Sequence, residues 1–291
     1  GCMIRIILIL LFLFSVLSVP VCHGVISGLY LYGMKIFPGL FISFILTNIL
    51  VRILQQKNIN NPWILVITGV MTGFPNGAYI CSWYNKNNPK NRLGDMLAGI
   101  INIPSPAFLI SYVYINILEK CISLPVFLAL TYTPVILCSY MVILLFRDKD
   151  NKKDNAPHIK TSKKLIFHFF EEAVDSSINT ALKLGAYVII FSVIVNIIMH
   201  FSHGNTAGLL ISYLFEISNG LAIIKNARIP MNLTVLLTVL LDAFGGVCII
   251  MQTKSICSSY ISIKKYIYQK LVLCIVTLAT TYLLIYVLNI L

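Results

Sequence analysis

Glu216 and Asp242 are carboxylic acids set inside long apolar stretches. A charged side chain at mid-bilayer costs about 2.5–3.5 kcal/mol on insertion scales, so each acid needs a compensating role. Glu216 stands three residues before Asn219-Gly220. From there it could bind a coupling cation, carry a proton, or hydrogen-bond a hydroxyl or amine of a solute. A structural acid bonding a neighbouring helix is the plainer alternative. Asp242 reads as a cap, through its side-chain oxygen, for a half-helix at Phe244-Gly245-Gly246. Gln252 is the remaining polar group in that stretch.

These residues cluster at four points where an apolar run carries helix breakers: Gly73-Phe74-Pro75-Asn76-Gly77, Asn102 to Ser105-Pro106, Glu216 to Ser218-Asn219-Gly220, and Asp242 to Gly245-Gly246. Glycine permits unusual dihedrals, and proline removes a donor and clashes with the preceding turn. A helix broken at bilayer depth exposes N–H and C=O groups, which is tolerable only inside protein or beside a watery cavity. Each break is therefore a candidate solute site, with Asn and Ser available to bond a polar guest. Half-helix N-termini add free donors and partial positive charge, which suits a carboxylate or phosphate. The alternative is a set of ordinary packing kinks, which membrane helices tolerate. There is no nucleotide-binding glycine loop, zinc-protease motif or nucleophile elbow, so the expectation is a protein that is not an enzyme, with no cofactor and no metal.

The elements that must hold these breaks are membrane helices. Of the 291 residues, 58% are hydrophobic and 11% charged, far from soluble averages, and runs of roughly 20 apolar residues recur throughout. The net charge of +12 resides in short connectors rather than on a basic face, which argues for orientation charges and against nucleic acid. A polar linker from Arg147 to Lys164, with seven basic and three acidic residues, divides the chain.

Across that linker Lys35 aligns with Lys183, Asn48 with Asn196, and the two breaks of the first half with the two of the second, in order. The expected organisation is an all-α polytopic membrane protein of two inverted repeats with broken or re-entrant helices. It has a first span over 1–23, uncleaved, a first repeat and connecting span over 24–146, and a cytoplasmic linker over 147–164. A second repeat over 165–270 and a last span over 271–291 follow. Residues 62 to 84 read as a re-entrant hairpin. Arg52, Lys57, Lys86, Lys90 and Arg92 then fall on the linker's side with Lys254, Lys264, Lys265 and Lys270, while Lys225 and Arg228 fall opposite.

The break motifs, taken in order, resemble the YlbJ-type sporulation integral membrane proteins, built on the nucleoside-recognition or Gate domain and distantly like concentrative nucleoside transporters. Phe37-Pro38 with Leu40-Phe41, Gly73-Phe74-Pro75-Asn76-Gly77-Ala78 and Asn102 through Pro106-Ala107-Phe108 carry it in the first half. Phe191-Ser192-Val193-Ile194, Phe215 through Gly220 and Phe244-Gly245-Gly246 with Gln252 carry it in the second. The resemblance implies a role in endospore formation, in the cell membrane or outer forespore membrane, with transport of dipicolinic acid, and by analogy a homo-oligomer. A proton- or sodium-coupled nucleoside carrier and a non-transporting scaffold for spore-envelope assembly are the other two expectations.

Overall fold

The computed structural model describes residues 18–38, 41–42, 44–46, 48–49, 61–87, 92–146, 163–227, 229–257 and 260–288, with the side chains of 163–169, 256 and 286–288 excepted. The greater part of the expected first span, the linker residues 147–162, and Arg52, Lys57, Lys90 and Arg228 lie outside the described residues.

Every regular element among the described residues is helical. Helix α1 (Val19–Tyr30) continues into a π-helical stretch, Leu31–Ile36. Two short helices follow, α2 (Pro62–Thr72) and α3 (Asn76–Asn87), and then α4 (Leu93–Ile101). Beyond a break, α5 (Pro106–Phe108) runs on as a π-helical stretch, Leu109–Ile117. Helix α6 (Leu124–Phe146) reaches the linker. In the second half, the long α7 (Lys163–Phe201) precedes α8 (Thr206–Phe215) and α9 (Ile217–Asn226). Helices α10 (Met231–Phe244), α11 (Gly246–Cys257) and α12 (Ile263–Leu288) complete the chain.

Five of these segments are long and apolar enough to cross a bilayer: Leu93–Ile117, Leu124–Phe146, Phe170–Phe201, Met231–Ser255 and Ile263–Ile285. Large apolar side chains such as Met34, Leu145, Leu182 and Phe201 are two-thirds exposed or more, as expected where lipid and not water is the solvent. The chain is an integral membrane protein.

Lipid tails are as apolar as leucine, so close backbone approach rather than hydrophobic burial must hold such helices together. Helices α1 and α7 show it. Gly24 and Gly28 lie against α7 so closely that an added Cβ would stand 2.5 Å from Val193 Cα and 2.8 Å from Ile189 Cα. Tyr32 hydroxyl donates to Ala181 carbonyl at 2.6 Å. Asn196 Nδ2 donates to Ser27 Oγ at 3.2 Å, and Asn48 Nδ2 to Ser177 Oγ at 2.9 Å. Partners on α7 fall in number as those on the first helix rise, so the two run antiparallel. We expect Gly28→Ala to cost about 1–3 kcal/mol through overpacking, read as a lower melting temperature of the purified protein, whereas Gly33→Ala, whose Cβ would meet nothing within 4 Å, leaves it unchanged.

Helix α12 is fastened at its start by Asp95. The Asp95 carboxylate accepts from the Ser262 N–H at 2.8 Å and from Lys265 Nζ at 2.6 Å. Gln269 bonds Asp95 carbonyl and the Gly99 N–H. Because α12 begins at Ile263 and not at 271, Lys270 lies about two turns into the helix, deeper than an orientation charge should. It is fully buried, and the sequence expectation of a connector lysine is corrected in its case.

Candidate functional site

The breaks meet one another in pairs. In the first half, Gly73 closes α2 with φ of +67° and ψ of −177°, a conformation reserved for glycine. It lies directly against the backbone of Ser105. The freed Phe74 N–H donates to Ile103 carbonyl at 3.0 Å, so one unwound stretch satisfies the other, as a water-free environment demands. Pro75, which has no N–H to satisfy, follows Phe74 through a cis peptide bond. Gly77 N–H returns to Gly73 carbonyl at 2.8 Å, and Gly77 touches Asn102.

In the second half, α10 ends at Gly245 and α11 opens at Gly246, with φ of +81° and +82°. Gly246 lies against Phe215 carbonyl and Ile217 nitrogen, where α8 gives way to α9. Gly220, one turn into α9, donates its N–H to Glu216 carbonyl at 2.8 Å.

Glu216 is 1% exposed, and it is the N-cap of α9. Its carboxylate accepts from the Asn219 N–H at 2.7 Å and from Asn219 Nδ2 at 3.0 Å. The anion suited to this half-helix N-terminus is thus the protein's own side chain. Asn219 Nδ2 also donates to Ser192 Oγ on α7. Asp242 does not act as the expected cap. It sits in the last turn of α10, buried, with neither carboxyl oxygen hydrogen-bonded among the described residues, because an N-cap must immediately precede the helix it opens and Asp242 lies within the helix before.

Asn102 is wholly buried and fully engaged within the protein. Its Oδ1 accepts from the Ala78 N–H at 3.2 Å, and its Nδ2 donates to Tyr266 hydroxyl at 2.8 Å and Thr253 Oγ1 at 3.2 Å. Asn76 is buried, with no partner on Nδ2.

Between the halves lies a cavity of about 30 Å³. Phe74, Ser105 and Phe108 border it from the first half, and Glu216, Ile217, Ser218, Ile249 and Gln252 from the second. Ile36 of the π-helical stretch after α1, Phe44, and Leu184 and Val188 of α7 complete the wall. The structure therefore brings Ser105, Glu216, Ser218 and Gln252 together among the expected site residues. Asn76, Gly77, Asn102, Pro106, Asn219, Asp242 and Gly245 do not line it.

Ser105 is the N-cap of α5, accepting from the Phe108 N–H at 3.4 Å, with Pro106 at the first helical position. Ser218 carbonyl accepts from Tyr112 hydroxyl at 3.1 Å, a contact from the π-helical stretch that ties the two halves. Gln252 donates to Cys248 Sγ at 3.3 Å, and its Oε1 has no partner although the residue is 2% exposed. An unpaired buried amide oxygen is an acceptor waiting for a donor, and this one belongs to a residue of the cavity wall. Among the described residues, no lysine or arginine borders the cavity.

The apolar wall, and Lys270 behind the site, escaped the sequence. An apolar residue facing a cavity looks the same in sequence as one facing lipid. Lys270 carried a usable signal, since it is followed by a long apolar run that should have placed it within a helix. No family model, curated protein or solved structure matches this chain.

Proposed function

We propose that the protein is a membrane transporter for a small hydrogen-bonding solute, bound where the broken helices of its two halves face each other. One observation carries this reading: a cavity bordered by both halves, with Ser105, Glu216, Ser218 and Gln252 as its polar residues, the last with an unpaired amide oxygen. Broken helices around a midplane site are how many carriers build a binding site from irregular backbone. The antiparallel contact of α1 with α7, with Asn196 reaching Ser27, and the later bond of Asn48 to Ser177 support reading the halves as inverted repeats that can move against one another.

The chemistry of the wall favours an uncharged solute with hydroxyl or N–H donors, such as a nucleoside, over dipicolinate. A dicarboxylate brings two negative charges to a wall whose described residues include no lysine or arginine. It would also meet Glu216 at the very N-terminus that would otherwise attract it. At about 30 Å³ the cavity holds on the order of one water, so a solute enters only after the halves separate, as alternating access requires.

Uptake of labelled uridine and labelled dipicolinate into liposomes containing the protein tests this. We expect saturable uridine uptake that falls at least about tenfold in Gln252→Leu, the loss of one directed hydrogen bond to a buried group, and no dipicolinate uptake. Dipicolinate uptake without uridine uptake would overturn the choice of solute. Uptake of neither by inserted, folded protein would favour the scaffold.

A further inference from the structure

Lys270 stands about two turns into the apolar helix α12, with no carboxylate partner among the described residues. Its Nζ donates to Asn102 carbonyl at 2.5 Å and to Ala243 carbonyl at 2.9 Å, with the Tyr266 ring centroid 5.8 Å away. Asp242, one residue before Ala243, makes no ion pair with it and has both carboxyl oxygens unpartnered. The ammonium is held by backbone oxygens.

Those two oxygens are of a particular kind. Asn102 is the C-cap of α4, and Ala243 is the penultimate residue of α10. The last four carbonyls of a helix have no intrahelical donor, and aligned peptide dipoles leave roughly half a negative charge there. Both helices end inside spans, Leu93–Ile117 and Met231–Ser255, so water does not serve those carbonyls. One end belongs to the first half and one to the second. Two such ends facing one point, with an aromatic ring beside it, form a site for a small cation.

We propose that this is a preformed monovalent-cation site between the second breaks of the two halves, and that the chain fills it with its own tethered ammonium, Lys270, in place of a free ion. The ammonium cross-links the two half-helix ends, so any movement of α4 against α10 must break or carry these bonds. The proposal does not depend on the transport reading, because it is tested by stability alone.

The purified full chain in detergent is melted as wild type, Lys270→Ala and Lys270→Met, each in propylammonium chloride, tetramethylammonium chloride at equal concentration, or 1-propanol. The expected result is that Lys270→Ala melts more than about 5 °C below wild type, a change the size of one or two kcal/mol in a domain. Propylammonium should restore most of that loss, while tetramethylammonium and propanol should not. Lys270→Met, which refills the space without charge, should remain depressed. Equal rescue by propanol, or a Lys270→Met variant as stable as wild type, would overturn the proposal, since packing alone would then explain the lysine. If Lys270→Ala does not fold at all, the methionine variant decides on the same criterion.

Discussion

Replacing Gly73 with alanine should abolish the stable fold of the first half, with a loss of about 3 kcal/mol or more. Two costs coincide there. Gly73 has φ of +67° and ψ of −177°, outside the region a residue with a Cβ adopts at little cost, which accounts for about 1–3 kcal/mol. The added methyl would also be driven into the Ser105 backbone, not into a flexible side chain. Ser105 cannot yield without pulling Phe74 from Ile103 carbonyl, which would leave a buried donor unsatisfied at about 1–3 kcal/mol. The measurement is the melting temperature of the detergent-solubilised protein. Gly73→Ala should lose far more than Gly33→Ala, and a loss equal to that control would refute the account.

Asn102→Leu should cost nearly as much, for a different reason. The branched shape is kept, but the Ala78 N–H loses its acceptor, and Tyr266 and Thr253 lose the donor that ties α11 and α12 to the break. A buried group left unpaired costs about 1–3 kcal/mol, so the loss should reach about 3–5 kcal/mol. The Asn102 carbonyl that receives Lys270 is untouched, which separates this effect from that of the lysine. Asn102→Asp keeps the acceptor for Ala78 and loses only the donors, and should fall between the two in a thermal melt.

The positions of the breaks were legible because Gly and Pro announce them within otherwise unbroken apolar runs, and the structure interrupts its helices at 73, 102, 216 and 245. Which partner each polar group finds was not legible. Glu216 borders the cavity, but that its carboxylate also caps the helix it begins was not legible. Asn102 looked like a ligand for a guest but is a four-way junction within the protein. Asp242 was read as a cap because caps and acids share a composition, whereas capping depends on which side of the break the residue stands. Lys270 was counted with its neighbours Lys264 and Lys265, because a charge near a helix start and a charge one turn deeper differ only in register. The apolar wall could not be read at all, since Ile36, Leu184 and Val188 carry the same side chains whether they face a cavity or a lipid.

The close contact between α1 and α7 joins residues 149 and 169 positions apart, as in Tyr32 with Ala181 and Ser27 with Asn196. At about 5–20 residues per second of synthesis, the first helix spends on the order of 10–30 seconds in the bilayer before its partner is made. A helix satisfies its own backbone there, so its glycine-lined face can wait against lipid without penalty. The pairing of the two halves is therefore a late event in biogenesis, and the cavity between them cannot exist until the second half has been inserted.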